Sequence, residues 1–300
     1  MFTKLFAESG LSLDRLRSLL EIGAAGSIVK AAAGDPVRQS QYSRQIKELE
    51  DFFRIKLIER HGKGTRLTSN GRELARISRF FMLGLSNFQR GCLAEEQTFR
   101  IGASSTFIRQ FLLPAVSNPN VLQGGARYLT EAASDDEIER RLHDLTLDFG
   151  VITRKEISRP LQQTALNEWH LKLWVPRALH KDEKSVRTAI KERRLPLIWA
   201  QKELDASYLE FLNGHEPSLT CDTFLEARAA MEQNAVAAVL PDFLAPVGNA
   251  KAFFPMRVPA LQSSVFKFRL AWNPRLLRLN PHAIRQRDFL ARIFSKAMAA

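Results

Sequence analysis

The sequence predicts an α+β multidomain fold: a compact helical unit with a β-hairpin, one long helix, and a larger C-terminal α/β domain. Three observations predict it. Between Leu13 and Phe53, apolar residues recur at helical spacing in three segments, broken at Gly26 and at Gly34-Asp35-Pro36. From Ser69 onward one seam (Leu74, Ile77, Phe81, Leu85, Phe88 and Cys92) steps by three or four residues without interruption. Beyond Phe99, short runs rich in β-branched and aromatic residues alternate with helical stretches, the pattern of an α/β domain. With 300 residues and 45% apolar content, the chain can support two cores.

Taken in order, residues 13–22 form a first helix with Ser12 as cap, Leu13, Leu16 and Leu20 on one face, and Gly23 and Gly26 as punctuation. Ser27 caps a short second helix through Lys30 into the Ala31-Ala32-Ala33 run, whose small side chains permit close helix crossing. Gly34-Asp35-Pro36 makes a turn, and Pro36 opens the third helix, residues 36–53. On that helix Tyr42, Ile46, Leu49 and Phe53 stack on one stripe. Ser40, Ser43, Arg44 and Lys47 lie opposite, Gln39 and Gln41 lie near the start, and Glu50 and Asp51 come at the far end. Helix, short helix, turn and helix make a helix-turn-helix, whose last helix enters a major groove. There Gln and Arg can pair with base edges while Ser and Lys reach phosphates.

Residues 56–60 and 65–68 flank His61-Gly62-Lys63-Gly64 and predict a hairpin. Its tip, Lys63 between Arg60 and Arg66, makes a basic wing suited to phosphate or minor-groove contact. From Pro36 to Arg72 there are nine Lys or Arg against four Asp or Glu, a net of +5. The whole chain carries 44 basic and 32 acidic residues, a net of +12, which favours an anionic partner. The long helix, residues 69–92, presents a seam suited to self-association as a homodimer or homotetramer, and two-fold symmetry also suits palindromic half-sites. In the C-terminal domain, strands are expected at 99–102, 129–132, 147–152, 171–175, 195–199 and 236–240, with a helix at 135–145 and mainly parallel sheets.

No signal peptide and no uncharged apolar run near 18 residues is present, and Cys92 and Cys221 stand apart. The protein is expected to be cytoplasmic, associated with the nucleoid and without a membrane partner. No metal-ligand spacing joins the six histidines, and no G-x-S-x-G elbow or P-loop occurs. No catalytic residue, metal or cofactor is assigned.

From Leu13 to Leu74 the chain resembles the LysR-type transcriptional regulators. The resemblance is carried by Leu13-Asp14-Arg15-Leu16, Gly26-Ser27 with Ala31-Ala32, Val37-x-Gln39, Ser43-Arg44-Gln45-Ile46-Lys47-x-Leu49-Glu50, Leu57, Arg60 and Leu67-Thr68-x-x-Gly71. Weaker echoes follow at Arg100-Ile101-Gly102, Leu113-Pro114, residues 148–152 and Val239-Leu240-Pro241. The resemblance implies a winged helix-turn-helix (residues 1–68), a dimerising linker helix (69–94) and a two-lobed effector domain (95–300) similar to type 2 periplasmic binding proteins. Lobe I then covers about 99–164 and 269–300, and lobe II about 165–268, with crossings near 160–168 and 266–270. It also implies a small-molecule effector and double-stranded promoter DNA as partners. The DNA-binding set becomes Ser27, Lys30, Arg38, Gln39, Ser40, Ser43, Arg44, Lys47, Arg60, Lys63 and Arg66. Ser104, Ser105 and Thr106, where the first strand meets a helix start, and Thr153 across the cleft form the effector-binding set. The chain departs from the family at Arg54 (usually Gly), Asp35 (usually Leu), Ile58 (usually Phe), Asn234-Ala235-Val236, Asn118-Pro119-Asn120 and Gly124-Gly125. Two other classes stay open: a DNA-binding regulator with a vestigial effector domain, and a small-molecule-binding protein or enzyme on a periplasmic-binding fold.

Overall fold

The structure, a computed structural model, describes residues 5, 9–61, 64–93, 97–117, 126–212, 214–233, 236–246, 252–259, 261 and 264–299, with backbone only at 90–93. Two compact units divide the chain, Met1–Glu95 and Glu96–Ala300.

In the first unit, α1 (Leu13–Ala25) starts where the Ser12 hydroxyl accepts the Arg15 N–H at 3.3 Å, and it ends at Gly26, φ 76°. It is three residues longer than the expected 13–22. Gly23 lies inside it rather than ending it: a Cβ there would come 2.9 Å from Leu67 Cδ1, so the missing side chain admits the wing. Helix α2 (Ile28–Ala31) is capped by Ser27 and ends at the first residue of the alanine run, which turns over at Ala33 (φ 51°) and Gly34. Helix α3 (Pro36–Phe53) begins where the Asp35 carboxylate accepts the Val37 N–H at 2.8 Å, so Asp35 caps the helix it precedes.

Leu16, Leu19, Ile22, Ile28, Ala32, Tyr42, Ile46, Leu49, Leu57 and Ala75 form the core of this unit. Three polar contacts tie α1 to α3: the Tyr42 hydroxyl donates to Glu21, Ser18 donates to Gln45, and Arg15 pairs with Glu48. They fix the rotation of α3, whose core stripe is the predicted one.

Glu50 is a correction. It was expected on the polar side at the far end of α3, but it is only 8% exposed. Its carboxylate accepts the N–H groups of Leu57 (2.8 Å) and Ile58 (3.3 Å) and pairs with Lys56 Nζ at 2.9 Å. The chain turns back after α3, and Glu50 supplies the acceptors that the turning backbone would otherwise lack. That turn runs through Arg54, which holds the left-handed conformation (φ 57°) at the helix end and donates its N–H to the Glu50 carbonyl. An L side chain costs about 1–2 kcal/mol there, partly offset by the entropy a glycine loses on folding. Arg54→Gly is therefore expected to raise stability by ~0.5–1 kcal/mol, read as a higher urea midpoint at an unchanged slope. A lower midpoint would contradict this account of the turn.

Strands β1 (Ile58–His61) and β2 (Gly64–Leu67) pair antiparallel, Ile58 opposite Leu67 and His61 opposite Gly64. The predicted tip residues Gly62 and Lys63 lie outside the described residues. Thr68 donates to the Lys56 carbonyl and accepts the Gly71 N–H, starting α4 (Ser69–Leu93). A Cβ on Gly71 would lie 2.1 Å from the Leu57 carbonyl oxygen, so the hairpin can return onto α4 only over a glycine.

The second unit has two lobes. In the first, β3 (Gln97–Ala103) pairs parallel with β4 (Ala126–Ala132) and β5 (Phe149–Ile152). After β3, the segments α5 (Ser105–Phe107), a π-wound turn (Ile108–Leu112) and α6 (Leu113–Val116) run on as one helical stretch. Helix α7 (Asp135–His143) packs on β5. Strand β6 (Gln162–Pro176) runs through both lobes. Residues 162–170 pair with β11 (Val265–Trp272), and residues 171–176 pair with β9 (Ala237–Pro241) and β10 (Phe253–Met256). The handover at His170–Leu171 lies beyond the expected crossing at 160–168. The returning strand is already paired at Val265, one residue before the expected crossing at 266–270.

In the second lobe, β7 (Leu197–Ala200) pairs parallel with β8 (Leu219–Cys221) and β9, flanked by α8 (Glu183–Lys191) and α9 (Phe224–Glu232). Helices α10 (Pro274–Leu279) and α11 (Pro281–Ala299) close the chain. The sheets are mixed rather than mainly parallel. The parallel strands of each lobe are crossed by antiparallel β6 and β11, in which Glu168, His170 and Lys172, and Lys267 and Arg269, alternate with apolar residues as in a half-covered antiparallel strand. The departures at 118–120, 124–125 and 234–235 lie outside the described residues, as do the first two residues of the polar break Glu95-Glu96-Gln97, which the sequence suggests as a linker and whose Gln97 begins β3. Among the described residues, no helix is long and apolar enough to cross a membrane.

Candidate functional site

The face of α3 turned away from the core carries Arg38, Ser40, Gln41, Ser43, Arg44 and Lys47, all exposed, with Gln39 half-buried. Arg44 has 79% of its side chain exposed and pairs within the helix with Glu48 at 3.6 Å. Arg38 lies 6.0 Å over the Tyr42 ring. Lys47 and Lys30 make no ion pair among the described residues. Ser27 spends its hydroxyl capping α2, so any contact it makes elsewhere must use the remaining lone pair or its proton. On the wing, Arg60 is exposed and Arg66 pairs with Glu59 at 2.8 Å. Val37, 76% exposed at the start of α3, was not assigned from the sequence. An apolar side chain beside Arg38 at a helix start fits a thymine methyl group.

On α4, Ile77 (53%), Phe81 (50%), Leu85 (47%) and Phe88 (75%) are exposed, while Leu74 packs against the core. The seam is therefore bare from Ile77 through Phe88. The side chain of Cys92 is not described.

The predicted residues Ser104, Ser105, Thr106 and Thr153 all line one cleft of about 740 Å³ between the lobes of the second unit. Three of the four already have their hydroxyls engaged. Ser104 caps the helical stretch by accepting the Phe107 N–H, and Thr153 donates its N–H and hydroxyl to Asp135 at 3.0 and 2.8 Å. Thr106, buried, donates its N–H (3.1 Å) and hydroxyl (2.5 Å) to the carboxylate of Glu203, which reaches it from the other lobe. Glu203 also accepts the Phe224 N–H at 2.7 Å.

One wall of the cleft is aromatic: Trp169, Phe224, Phe243 and Phe268 line it, and Trp169 stacks on Phe268 with centroids 5.4 Å apart. Trp169, buried, is thus both core and cleft wall. Sequence reasoning missed Glu203 because nothing in Gln201-Lys202-Glu203-Leu204-Asp205 marks a carboxylate that reaches across a cleft. The capping box Thr223-x-x-Glu226 was a legible sign that α9 starts at the cleft.

Beside the cleft, Cys221 has its thiol pushed up to about 11 by burial and then by Glu226, so it is protonated at neutral pH. Among the described residues, no group of three or more metal-ligating side chains occurs.

Residues 13–72 match the family described as bacterial regulatory helix-turn-helix protein, lysR family. No curated protein matches the chain. Among solved structures, ArgP from Mycobacterium tuberculosis is similar at 17% identity and a TM-score of 0.65, over 90% of this chain and 96% of that one. A full-length, single-substitution form of OxyR from Pseudomonas aeruginosa is similar at 16% identity and a TM-score of 0.62, over 96% and 94%. Full-length LysG from Corynebacterium glutamicum, with bound effector Arg, is similar at 16% and 0.59, over 92% and 99%. At these identities the likeness is one of fold, extending through both units.

Proposed function

We propose that this chain, whose residues 13–72 match the lysR-family regulatory helix-turn-helix, is a sequence-specific DNA-binding transcriptional regulator whose C-terminal unit senses a small molecule. The observation that carries this reading is the face of α3. Its stripe Tyr42, Ile46 and Leu49 is spent on the core, which leaves Arg38, Ser40, Ser43, Arg44 and Lys47 exposed together on a helix of the right length to lie in a major groove. Arg60 and Arg66, with Lys63 between them in sequence, supply the wing's phosphate contacts. Ser27 and Lys30, at the start of α2, add backbone contacts that set register. Ser104, Ser105, Thr106 and Thr153 border the effector cleft, so an effector that changes the cleft shifts the balance between regulator states.

The exposed seam of α4 supports a homodimer, or a tetramer built from dimers, by pairing of two such helices. Phe81→Glu with Leu85→Glu is expected to yield monomers in light scattering and to weaken binding to a two-site operator by about 100-fold, since the second half-site is no longer tethered. Retained dimers would sink this assignment of the seam. A regulator of this kind turns over no substrate and works on the bacterial nucleoid, which places the protein in the cytoplasm. The test of the function is selection of bound fragments from genomic DNA by the full chain. An inverted repeat with half-sites about one helical turn apart is expected. Enrichment of no common sequence would overturn the proposal.

A further inference from the structure

The cleft holds a carboxylate of its own. Glu203 reaches from the segment after β7 to the first turn of the helical stretch 105–116 in the opposite lobe, and it also meets the first N–H of α9. Helix starts are where an α/β cleft ordinarily grips the anionic end of a ligand, because unpaired N–H groups and the helix dipole converge there. Here two such starts and the Thr106 hydroxyl are all directed at a side chain of the protein.

The remaining charges run the same way. Six carboxylates line the cleft, those of Asp135, Asp136, Glu203, Asp205, Asp222 and Glu226, against only two cations. Both cations are already paired, Arg154 with Asp136 and Lys202 with Asp222. Asp135, Glu203, Asp205 and Glu226 accept hydrogen bonds from local amides or hydroxyls, but none has a cation within 4 Å among the described residues. The cleft is thus an acidic, aromatic-walled cavity in a chain whose net charge is +12.

We infer that Glu203 is a specificity-determining residue, a resident carboxylate that fills the anion position of the effector cleft and makes it select a ligand bearing an amine or guanidinium group. A carboxylate ligand brought to the two helix starts would have to displace Glu203, and while Glu203 stays it meets like charge at hydrogen-bond range. A cation instead finds four carboxylates that have no ion-pair partner among the described residues, in a cleft also lined by Trp169, Phe243 and Phe268. The inference rests on the proposed reading of the cleft as the effector site.

It is tested by calorimetric titration of the full chain with two probes: agmatine, which carries an amine and a guanidinium but no carboxylate, and succinate, a dicarboxylate. Wild type is expected to bind agmatine at one site per chain, at least about tenfold more tightly than succinate. Glu203→Ala is expected to shift the preference by about tenfold or more towards succinate, since the helix starts are now open. Glu203→Gln, which keeps the side chain's volume and one acceptor, is expected to shift it the same way and covers the case in which the alanine variant fails to fold. Wild type binding succinate as tightly as agmatine, or an unchanged preference in a folded variant, would overturn the inference while leaving an effector site in place. Binding of neither probe by wild type or by either variant would overturn it together with the effector reading.

Discussion

Arg44→Ala is expected to weaken binding to the selected operator by about 10- to 100-fold, and to relax base preference at one position in each half-site. Arg44 lies in the middle of the exposed face of α3, and its one ion pair among the described residues is with Glu48, at 3.6 Å. An exposed pair within one helix is worth a few tenths of a kcal/mol, so exchanging Glu48 for a guanine edge costs little and gains a bidentate contact. Lys47→Ala separates the two kinds of contact. Its loss is expected to weaken operator and random duplex about equally and to lower the salt slope by about one. Fluorescence anisotropy across a salt series with both duplexes reads each effect. An Arg44→Ala protein with unchanged affinity and base preference would remove α3 from base recognition.

Glu50→Ala is expected to cost the DNA-binding unit about 2–3 kcal/mol, since it strips the acceptor from two amides at the return after α3, one of them on fully buried Leu57. The effect depends on pH. Burial pushes the Glu50 carboxyl up, yet the Lys56 ammonium and then the Leu57 and Ile58 amides outweigh it and hold it below the ordinary glutamate value of 4.5. A carboxyl lowered in the folded state contributes stability that is full above 4.5 and is lost as pH falls through the lower folded value. Urea midpoints of wild type should therefore fall as pH drops from 4.5 through that lower value, and Glu50→Gln should flatten the fall. An equal acid loss in Glu50→Gln would assign it to other carboxylates.

Much of the first unit was legible because its determinants are local. Ser12 and Ser27 announce helix starts by side-chain chemistry, Pro36 can open a helix but not continue one, and the Tyr42–Leu49 stripe follows from the 3.6-residue period. What escaped depends on partners distant in sequence. Gly23 looked like a stop because a glycine in a helix ordinarily weakens it, and only the approach of Leu67 shows why it is needed. Glu50 looked like a surface charge because helix periodicity cannot reveal that the chain folds back over its carboxylate.

In the second unit the alternation of strands and helices was visible. The passage of β6 from one lobe to the other was not, since its alternation of buried and more exposed residues continues unchanged across the handover. Ser104, Ser105, Thr106 and Thr153 do line one cleft, because strand ends followed by helix starts converge in this class of sheet. That a glutamate already occupies the helix ends depends on residues 97 positions apart, which no local pattern encodes.

The central claim is that the face of α3 reads DNA sequence. Its most direct test is competition, at one fixed salt concentration, between the selected operator and the same duplex with both half-sites scrambled. The account predicts that the intact operator binds about 1,000-fold or more tightly, the margin that separates base readout from phosphate attraction alone. Equal affinity for the two duplexes would contradict it, leaving a basic protein that holds DNA by charge and reads nothing.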